Sequence, residues 1–342
     1  VSSPASRPPH RSSRQRSRPC LGAACAAALL GVALTTACSH PKPPPPATPA
    51  AKPAPRVPPL CAVETSAGFD KPPRERVYPA QNWFVLMLHA YRSVGEIARP
   101  LNDCSGRPVK LAVDGCGGDP LPDLVPTQLG PDDLVVSPLG DDRRLVWVIT
   151  EHLSDGQGQG PVAIASVEPH GLAVRALGVL RAYREHVSLR LETVSGEQVL
   201  VADGERCASP NAAETCERAV RVVPLVGQWF LSAPLVDAQG VCEGSTLFPV
   251  RTRGEAGRAH GTTFELEAAV NFGQGAMQVR EQLAISRGGH GRSAKDKDTG
   301  GEAYIARTQL ERTITVKNGR LVTDGPSLLA RWLKQQERAA SE

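Results

Sequence analysis

From Arg144 to Thr323 the chain alternates apolar and polar residues with a period of two, in short runs punctuated by Gly, Asn, Asp and Pro. Successive side chains of a strand point to opposite faces, so such runs fold as strands with one buried face. The runs are Arg144–Glu151, Pro161–Glu168, Leu172–Leu180, His186–Thr193, Gln198–Asp203, Ala219–Pro224, Gln228–Ser232, Thr246–Arg251, Thr263–Phe272, Met277–Ser286, Tyr304–Val316 and Arg320–Thr323. No helix-length segment alternates with them, which argues against a parallel α/β sheet. The expected fold class is therefore mainly β: an antiparallel meander of neighbours, forming a curved sheet or an up-and-down barrel-like domain over residues 143–342.

Two registers follow from the residues. Asn318-Gly319 is a type I′ hairpin signal and sets Lys317 opposite Arg320 and Val316 opposite Leu321. Between Thr263 and Ser286 the apolar sets share a face only if Phe272 opposes Met277, Val270 opposes Val279, Leu266 opposes Leu283 and Phe264 opposes Ile285. The other face then carries Glu265, Glu267, Asn271, Gln278, Arg280 and Gln282, a row that lipid would not tolerate, so a transmembrane barrel is excluded.

Helices are expected at both ends of the folded part. Asn82–Ala98 spaces Phe84, Met87, Leu88, Tyr91 and Val94 three and four residues apart, with Pro100 as its stop. Ser327–Arg338 has Ser327 as N-cap, with Leu328, Leu329, Trp332 and Leu333 on one face. Residues 61–142 read as that first helix followed by a Cys-bounded irregular segment. Gly156-Gln157-Gly158-Gln159-Gly160 reads as a loop between strands, and Arg287–Glu302 as a loop lacking the third oxygen ligand of a calcium site.

The N-terminal sixty residues carry a different message. Arg7, Arg11, Arg14, Arg16 and Arg18 precede an uncharged Ala-, Leu- and Gly-rich stretch from Leu21 to Ala37, the pattern of a signal peptide over residues 1–37. It ends in Thr35-Thr36-Ala37 directly before Cys38, and this resembles the lipobox of bacterial lipoproteins. The match departs from the family at Thr35, where an aliphatic residue is usual; Leu34 stands one step early. The resemblance implies lipidation of Cys38 and attachment to the cell envelope, with the outer membrane as the expected site. Residues 38–60, with Pro43-Pro44-Pro45-Pro46, form a Pro-rich tether of extended polyproline geometry. The folded part is similar to predicted lipoproteins of unknown function in high-GC Gram-negative bacteria, a resemblance that implies no activity.

Charge removes one class of partner. The net charge of +4 resides in the leader: without its five arginines, residues 38–342 hold 34 Lys+Arg against 35 Asp+Glu. A balanced domain lacks the basic stripe that nucleic acid requires, so no nucleic acid is expected as partner. Of nine cysteines, Cys61, Cys104, Cys116, Cys207, Cys216 and Cys242 remain for the folded part. Six in an exported chain point to three disulfides, with fifteen possible pairings. Proximity favours Cys104–Cys116 and Cys207–Cys216, leaving Cys61–Cys242. None of these cysteines stands two to four residues from another, so no metal site is expected.

The strand register places Glu281 opposite the small Ala268, on the apolar face, and Arg312 on the same face as Leu310, Ile314 and Val316. A buried acid and base on neighbouring strands must pair, because a stranded charge is costly. Glu281 and Arg312 are thus the candidate ligand-binding residues, either a structural ion pair or a polar anchor inside a lipocalin-like cup lined by Phe264, Leu266, Val279, Leu283 and Leu310. No Gly-Xaa-Ser-Xaa-Gly or His-Glu-Xaa-Xaa-His motif occurs, the histidines are scattered, and no catalytic residue or cofactor is nominated. The expected function is a non-enzymatic envelope lipoprotein with an interaction or structural role, its partners the membrane through Cys38 and a protein or small amphiphile. The alternatives are a carrier of a small amphiphile, and an enzyme whose site is assembled from dispersed residues.

Overall fold

A computed structural model describes residues 57–65, 71–89, 91, 102–110, 115–117, 122–125, 128–207, 216–255, 262–273, 275–287 and 303–339. The segments expected as signal and tether, with Cys38, lie outside the described residues except for residues 57–60, as do Val94, Pro100 and residues 288–302. The chain begins with β1 (Cys61–Glu64), α1 (Ala80–Met87), β2 (Leu124–Val125) and β3 (Leu134–Pro138). It continues through β4 (Arg143–Val148), β5 (Glu151–Leu153), β6 (Gln157–Glu168), β7 (Gly171–Tyr183), β8 (Glu185–Val194) and β9 (Glu197–Arg206). Then come β10 (Glu217–Val226), β11 (Trp229–Phe230), β12 (Leu235–Val236), β13 (Cys242–Gly244), β14 (Leu247–Glu255) and β15 (Thr262–Phe272). The last elements are β16 (Met277–Arg287), β17 (Ala303–Lys317), β18 (Arg320–Thr323) and α2 (Leu328–Ala339).

These strands form one large, curved, non-closed sheet with two limbs. The first limb runs β3-β4-β6-β7, with β1 and β11 sharing the far edge of β7. The second runs β8-β9-β10-β14-β15-β16-β17-β18-β12-β13. The limbs join where β10 runs on to pair with β11. Neighbours pair antiparallel, with two exceptions that the alternation did not reveal: β11 lies parallel to β7, and β12 parallel to β18. Both exceptions are short strands that return from a distance to an open edge.

The two derived registers hold residue by residue. Phe272 faces Met277, Val270 faces Val279, Leu266 faces Leu283 and Phe264 faces Ile285. Val316 faces Leu321 and Lys317 faces Arg320, with Asn318 and Gly319 at φ 52° and 71°, the left-handed pair that the turn requires.

Packing explains where the alternation fails. On the first limb, α1 lays Trp83, Phe84, Leu86 and Met87 against Val146, Val148, Ala163, Val174 and Leu177. On the other face of that limb, Leu145, Trp147, Ile149, Val162 and Leu180 meet Leu189, Leu200, Ala202 and Val223 of the second limb. Strand β4 is thus covered on both sides, and every residue from Arg144 to Val148 is buried. Such a strand is apolar at consecutive positions rather than at alternate ones. Each fully buried Leu, Val or Phe contributes roughly 1.5–3 kcal/mol relative to exposure, so this double layer forms the main core. Inside the curve of the second limb, Val201, Val220, Val222, Phe248, Met277, Val279, Ile314 and Leu321 form a second core.

Three expectations are corrected. The Gly-Gln repeat is the start of β6 and not a loop; Gln157, Gly158, Gln159 and Gly160 are all buried. A Cβ on Gly160 would sit 1.8 Å from the Val148 carbonyl oxygen, so the neighbouring backbone comes too close for any side chain. The first helix stops at Met87 and does not reach Ala98. Leu88 turns extended, at φ −118° and ψ 126°, and bridges Asp103. That bridge brings Cys104 back beside β1, where it is joined to Cys61 and not to Cys116. Cys116 in turn joins Cys242, replacing the expected Cys61–Cys242 bond. The Cys207–Cys216 disulfide is present as expected, between the ends of the paired strands β9 and β10.

Peptide mapping without reduction is expected to recover the Cys61–Cys104, Cys116–Cys242 and Cys207–Cys216 pairs. Loss of Cys116–Cys242, whose partners are 126 residues apart, is expected to cost more stability than loss of Cys207–Cys216, whose partners are 9 apart. On the chain-entropy account the costs are about 5 and about 3 kcal/mol. Urea unfolding of the two double Cys→Ser variants measures the order, and the reverse order would contradict the proposed constraint.

Candidate functional site

The register of β15, β16 and β17 places an acid and a base side by side. Glu281 lies between Ala268 on β15 and Leu310 on β17, and Arg312 lies one residue pair away, opposite Val279. Arg312 Nη2 donates to Glu281 Oε1 at 2.6 Å, and the two side chains are 4 % and 1 % exposed. The second carboxylate oxygen accepts the backbone N–H of Leu328 at 2.6 Å. That N–H is one of the unpaired donors at the start of α2, so the carboxylate also sits at the positive end of the helix dipole. Ser327 caps the same terminus as expected, its Oγ accepting the Ala330 N–H at 3.1 Å. Arg312 Nη1 reaches the Gly325 carbonyl at 3.4 Å, while its Nε is buried without a partner among the described residues.

The pair divides one apolar face in two. Met277, Val279 and Ile314 belong to the core on one side, and Leu266, Leu283, Leu328 and Trp332 cluster on the other. The expected cup lining is therefore brought together: Leu266, Val279 and Leu283 are fully buried, and Phe264 and Leu310 are half-buried. What covers it is α2. Leu328 and Trp332 pack on Leu266 and Leu283, and the Trp332 ring lies 5.4 Å from that of Phe264. Leu333, expected on the buried face, is 38 % exposed because the helix contacts the sheet mainly through its first turn and a half.

The opposite face of these strands is a solvated ladder of charges. Arg251 faces Glu267, Arg253 faces Glu265, and Arg280 reaches Glu311 at 3.2 Å. A recess of about 300 Å³ opens there between β14, β15 and β16, ringed by Arg253, Glu255 and Glu265.

A second polar constellation escaped the sequence reading. Arg221 on β10, 2 % exposed, donates through Nε to the Arg181 carbonyl at 2.8 Å. Its terminal nitrogens reach Ser245 Oγ and Thr246 Oγ1 at 3.2 Å and Gln157 Oε1 at 3.4 Å. Arg181 donates to the same Gln157 oxygen and to Asp155 Oδ2, both at 3.1 Å. Beside it, burial pushes the Tyr183 phenol above its ordinary value, the Arg206 guanidinium opposing the shift. Gln157 belongs to the misread Gly-Gln strand, so no periodicity pointed to the group.

His152 Nε2 and Asp133 Oδ1 lie 2.6 Å apart, and Asp133 Oδ2 also accepts the Gly130 N–H at 2.8 Å. The histidine thereby ties β5 to the turn before β3. Glu205, Cys207 and Cys216 lie close enough to share a metal ion, but the two sulfurs are bonded to each other and are not thiolate ligands. The three disulfides are compatible with an extracytoplasmic domain.

Removing one member of the buried pair strands the other. Arg312→Met is expected to destabilise the protein by about 3–5 kcal/mol, and adding Glu281→Gln, which keeps an acceptor for Leu328, to recover all but about 1–2 kcal/mol. Urea unfolding of the single and double variants reads the coupling; additive losses would show that the two groups do not act as a pair.

No protein-family model, curated protein or solved structure matches this chain.

Proposed function

We propose that this chain is a non-enzymatic envelope lipoprotein: a leader removed before Cys38, lipid on Cys38, a Pro-rich tether, and an extracytoplasmic β-domain with an interaction or structural role. The outer membrane is the proposed destination. The observation that carries this reading is the way the chain enters the domain. Leu60 N–H donates to the Val174 carbonyl at 2.9 Å. Arg175 Nη1 donates to the Val57 carbonyl at 3.1 Å, and Gln228 Nε2 to the Pro58 carbonyl at 3.2 Å. Cys61, the next residue, is cross-linked to Cys104. Extended chain that leaves a Pro-rich segment is thus gripped by β7, by the turn between β10 and β11 and by a disulfide before the sheet begins. A tether that holds a domain at a surface needs such a join, since any pull along it falls first on the entry point.

The domain also favours an interaction role over a reaction. Its apolar faces are covered by one another and by the two helices, while Val226 and Leu231, 41 % and 42 % exposed, stand together beside the Gly319 turn. A filled core with apolar residues outside fits a surface that meets another molecule.

Expression in a Gram-negative host, with radiolabelled palmitate and membrane fractionation, tests the anchor. The wild-type chain is expected to take up label and sediment with membranes. Cys38→Ala is expected to lose the label and release a folded, soluble domain. Label-free wild-type protein, or membrane association unchanged by Cys38→Ala, would refute the lipoprotein reading.

A further inference from the structure

The face around Glu281 and Arg312 has the chemistry of an amphiphile site, and α2 fills it in the manner of a ligand. The floor is apolar: Leu266 and Leu283, with Phe264, Ile285 and Leu310 around them. At the usual strand rise it runs roughly 13 Å from Glu281 to Ile285. At one end stands a buried pair of zero net charge that keeps hydrogen-bonding capacity beyond its mutual contact. Among the described residues, Glu281 Oε2 accepts the Leu328 N–H alone, and Arg312 Nε is buried without a partner. The helix supplies one polar donor for the head of the trough and two apolar side chains, Leu328 and Trp332, for its floor.

That helix is also lightly held. Ala330, Arg331, Lys334 and Gln335 are exposed. It follows β18 through a short linker that contains Gly325 and Pro326, and no cysteine occurs after Cys242, so no disulfide ties it to the sheet. By contrast α1 buries Trp83, Phe84, Leu86 and Met87 in a layer fixed by the Cys61–Cys104 bond.

We propose that α2 is a displaceable internal plug of a binding site for a single-chain amphiphile with an uncharged, hydrogen-bonding head group, such as a monoacylglycerol. A hydroxyl head replaces the Leu328 N–H on Glu281 Oε2 and offers its oxygen to Arg312 Nε, while the chain lies on Leu266 and Leu283. A charged head is disfavoured, because it would unbalance a pair that is already neutral in a dry site. Plug and ligand compete, so apparent affinity is reduced by the fraction of molecules in which the helix is docked.

The test uses the full chain carrying Cys38→Ala, so its outcome does not depend on the anchor, and monolauroylglycerol as probe, with native mass spectrometry and titration of tryptophan emission as readouts. One probe per chain is expected to bind. Trp332→Ala, which removes the contact with Phe264, is expected to bind about tenfold more tightly, as loss of a competing plug requires. Arg312→Met together with Glu281→Gln is expected to abolish the preference for monolauroylglycerol over dodecanoate and dodecyltrimethylammonium. A synthetic peptide of residues 326–342 is expected to compete with the probe on Trp332→Ala. Cooperative urea unfolding of each variant separates site binding from adsorption to an unfolded chain. If Trp332→Ala binds no more tightly than the parent, if the parent shows no head-group preference, or if the peptide does not compete, α2 is a fixed part of the core and the proposal fails.

Discussion

The two limbs of the sheet depend on a corner that the chain turns without a loop. Strand β7 ends at Tyr183 and β8 begins at Glu185, so a single residue separates a strand of one limb from a strand of the other. The ladder to β9 slips between Glu185 and Ser188, and His186 adopts φ 50°, the irregularity by which a strand bends out of one sheet and into another. Folding one limb onto the other buries backbone and side-chain polar groups at the bend. Arg221 reaches across to meet them, joining the Arg181 carbonyl, Gln157 and the Ser245–Thr246 connection through one guanidinium. Five donors in a fixed plane suit this task better than any other side chain. The residue is buried as deeply as the leucines around it because it substitutes for the hydrogen bonds that the corner interrupts.

The Glu281–Arg312 pair solves a different problem with the same chemistry. The curved second limb has one continuous inner face, yet it serves two clients, the core around Met277 and Ile314 and the helix α2. A charge pair at the boundary costs desolvation, and an apolar pair of similar volume would often be as stable. What an apolar pair could not do is fix the helix. The carboxylate selects the Leu328 N–H, which sets both the start of α2 and its position along the strand. The ion pair thus specifies where the helix lies, with Ser327 holding the next turn in shape.

How much of this was legible follows from which constraints are local. The hairpin registers were readable because side-chain alternation and an Asn-Gly turn are properties of a few adjacent residues, and one slip would reverse every face. The Glu281–Arg312 contact followed from that register, with no further information. The C-terminal helix was equally local, since Ser327 and the Leu328–Trp332 spacing sit within one segment. Its position over the cup was not, because nothing in the helix says which face of which strand it covers. The Gly-Gln strand was misread for the opposite reason: its side chains are missing where backbone crowds in, so the alternation that marks a strand is absent. The cysteine pairing failed with the helix end, since Cys104 returns to Cys61 only because Leu88 leaves the helix to meet Asp103. Arg221 was invisible because its partners come from three distant segments.

These constraints are unevenly spread along the chain, and the unevenness carries functional meaning. The first limb is clamped at its entry by Arg175, Gln228 and the Cys61–Cys104 bond, covered on both faces, and linked to β13 by Cys116–Cys242. Beyond β13 no cysteine follows, and β14 to β18 with α2 are held by the strand ladder and by side-chain pairs such as Arg280–Glu311 and Arg312–Glu281. Cross-linked segments resist local opening, whereas a helix held by one turn and two buried side chains opens at far less cost than the whole domain. The proposed attachment point and the movable part therefore lie on opposite sides of the folded domain in sequence. The rigid end is the one that continues into the Pro-rich segment, and the movable end is the one that covers a trough with unspent hydrogen-bonding capacity. A domain built in this order keeps its junction stable while the helix comes and goes, because α2 shares neither a disulfide nor a core cluster with the entry strand.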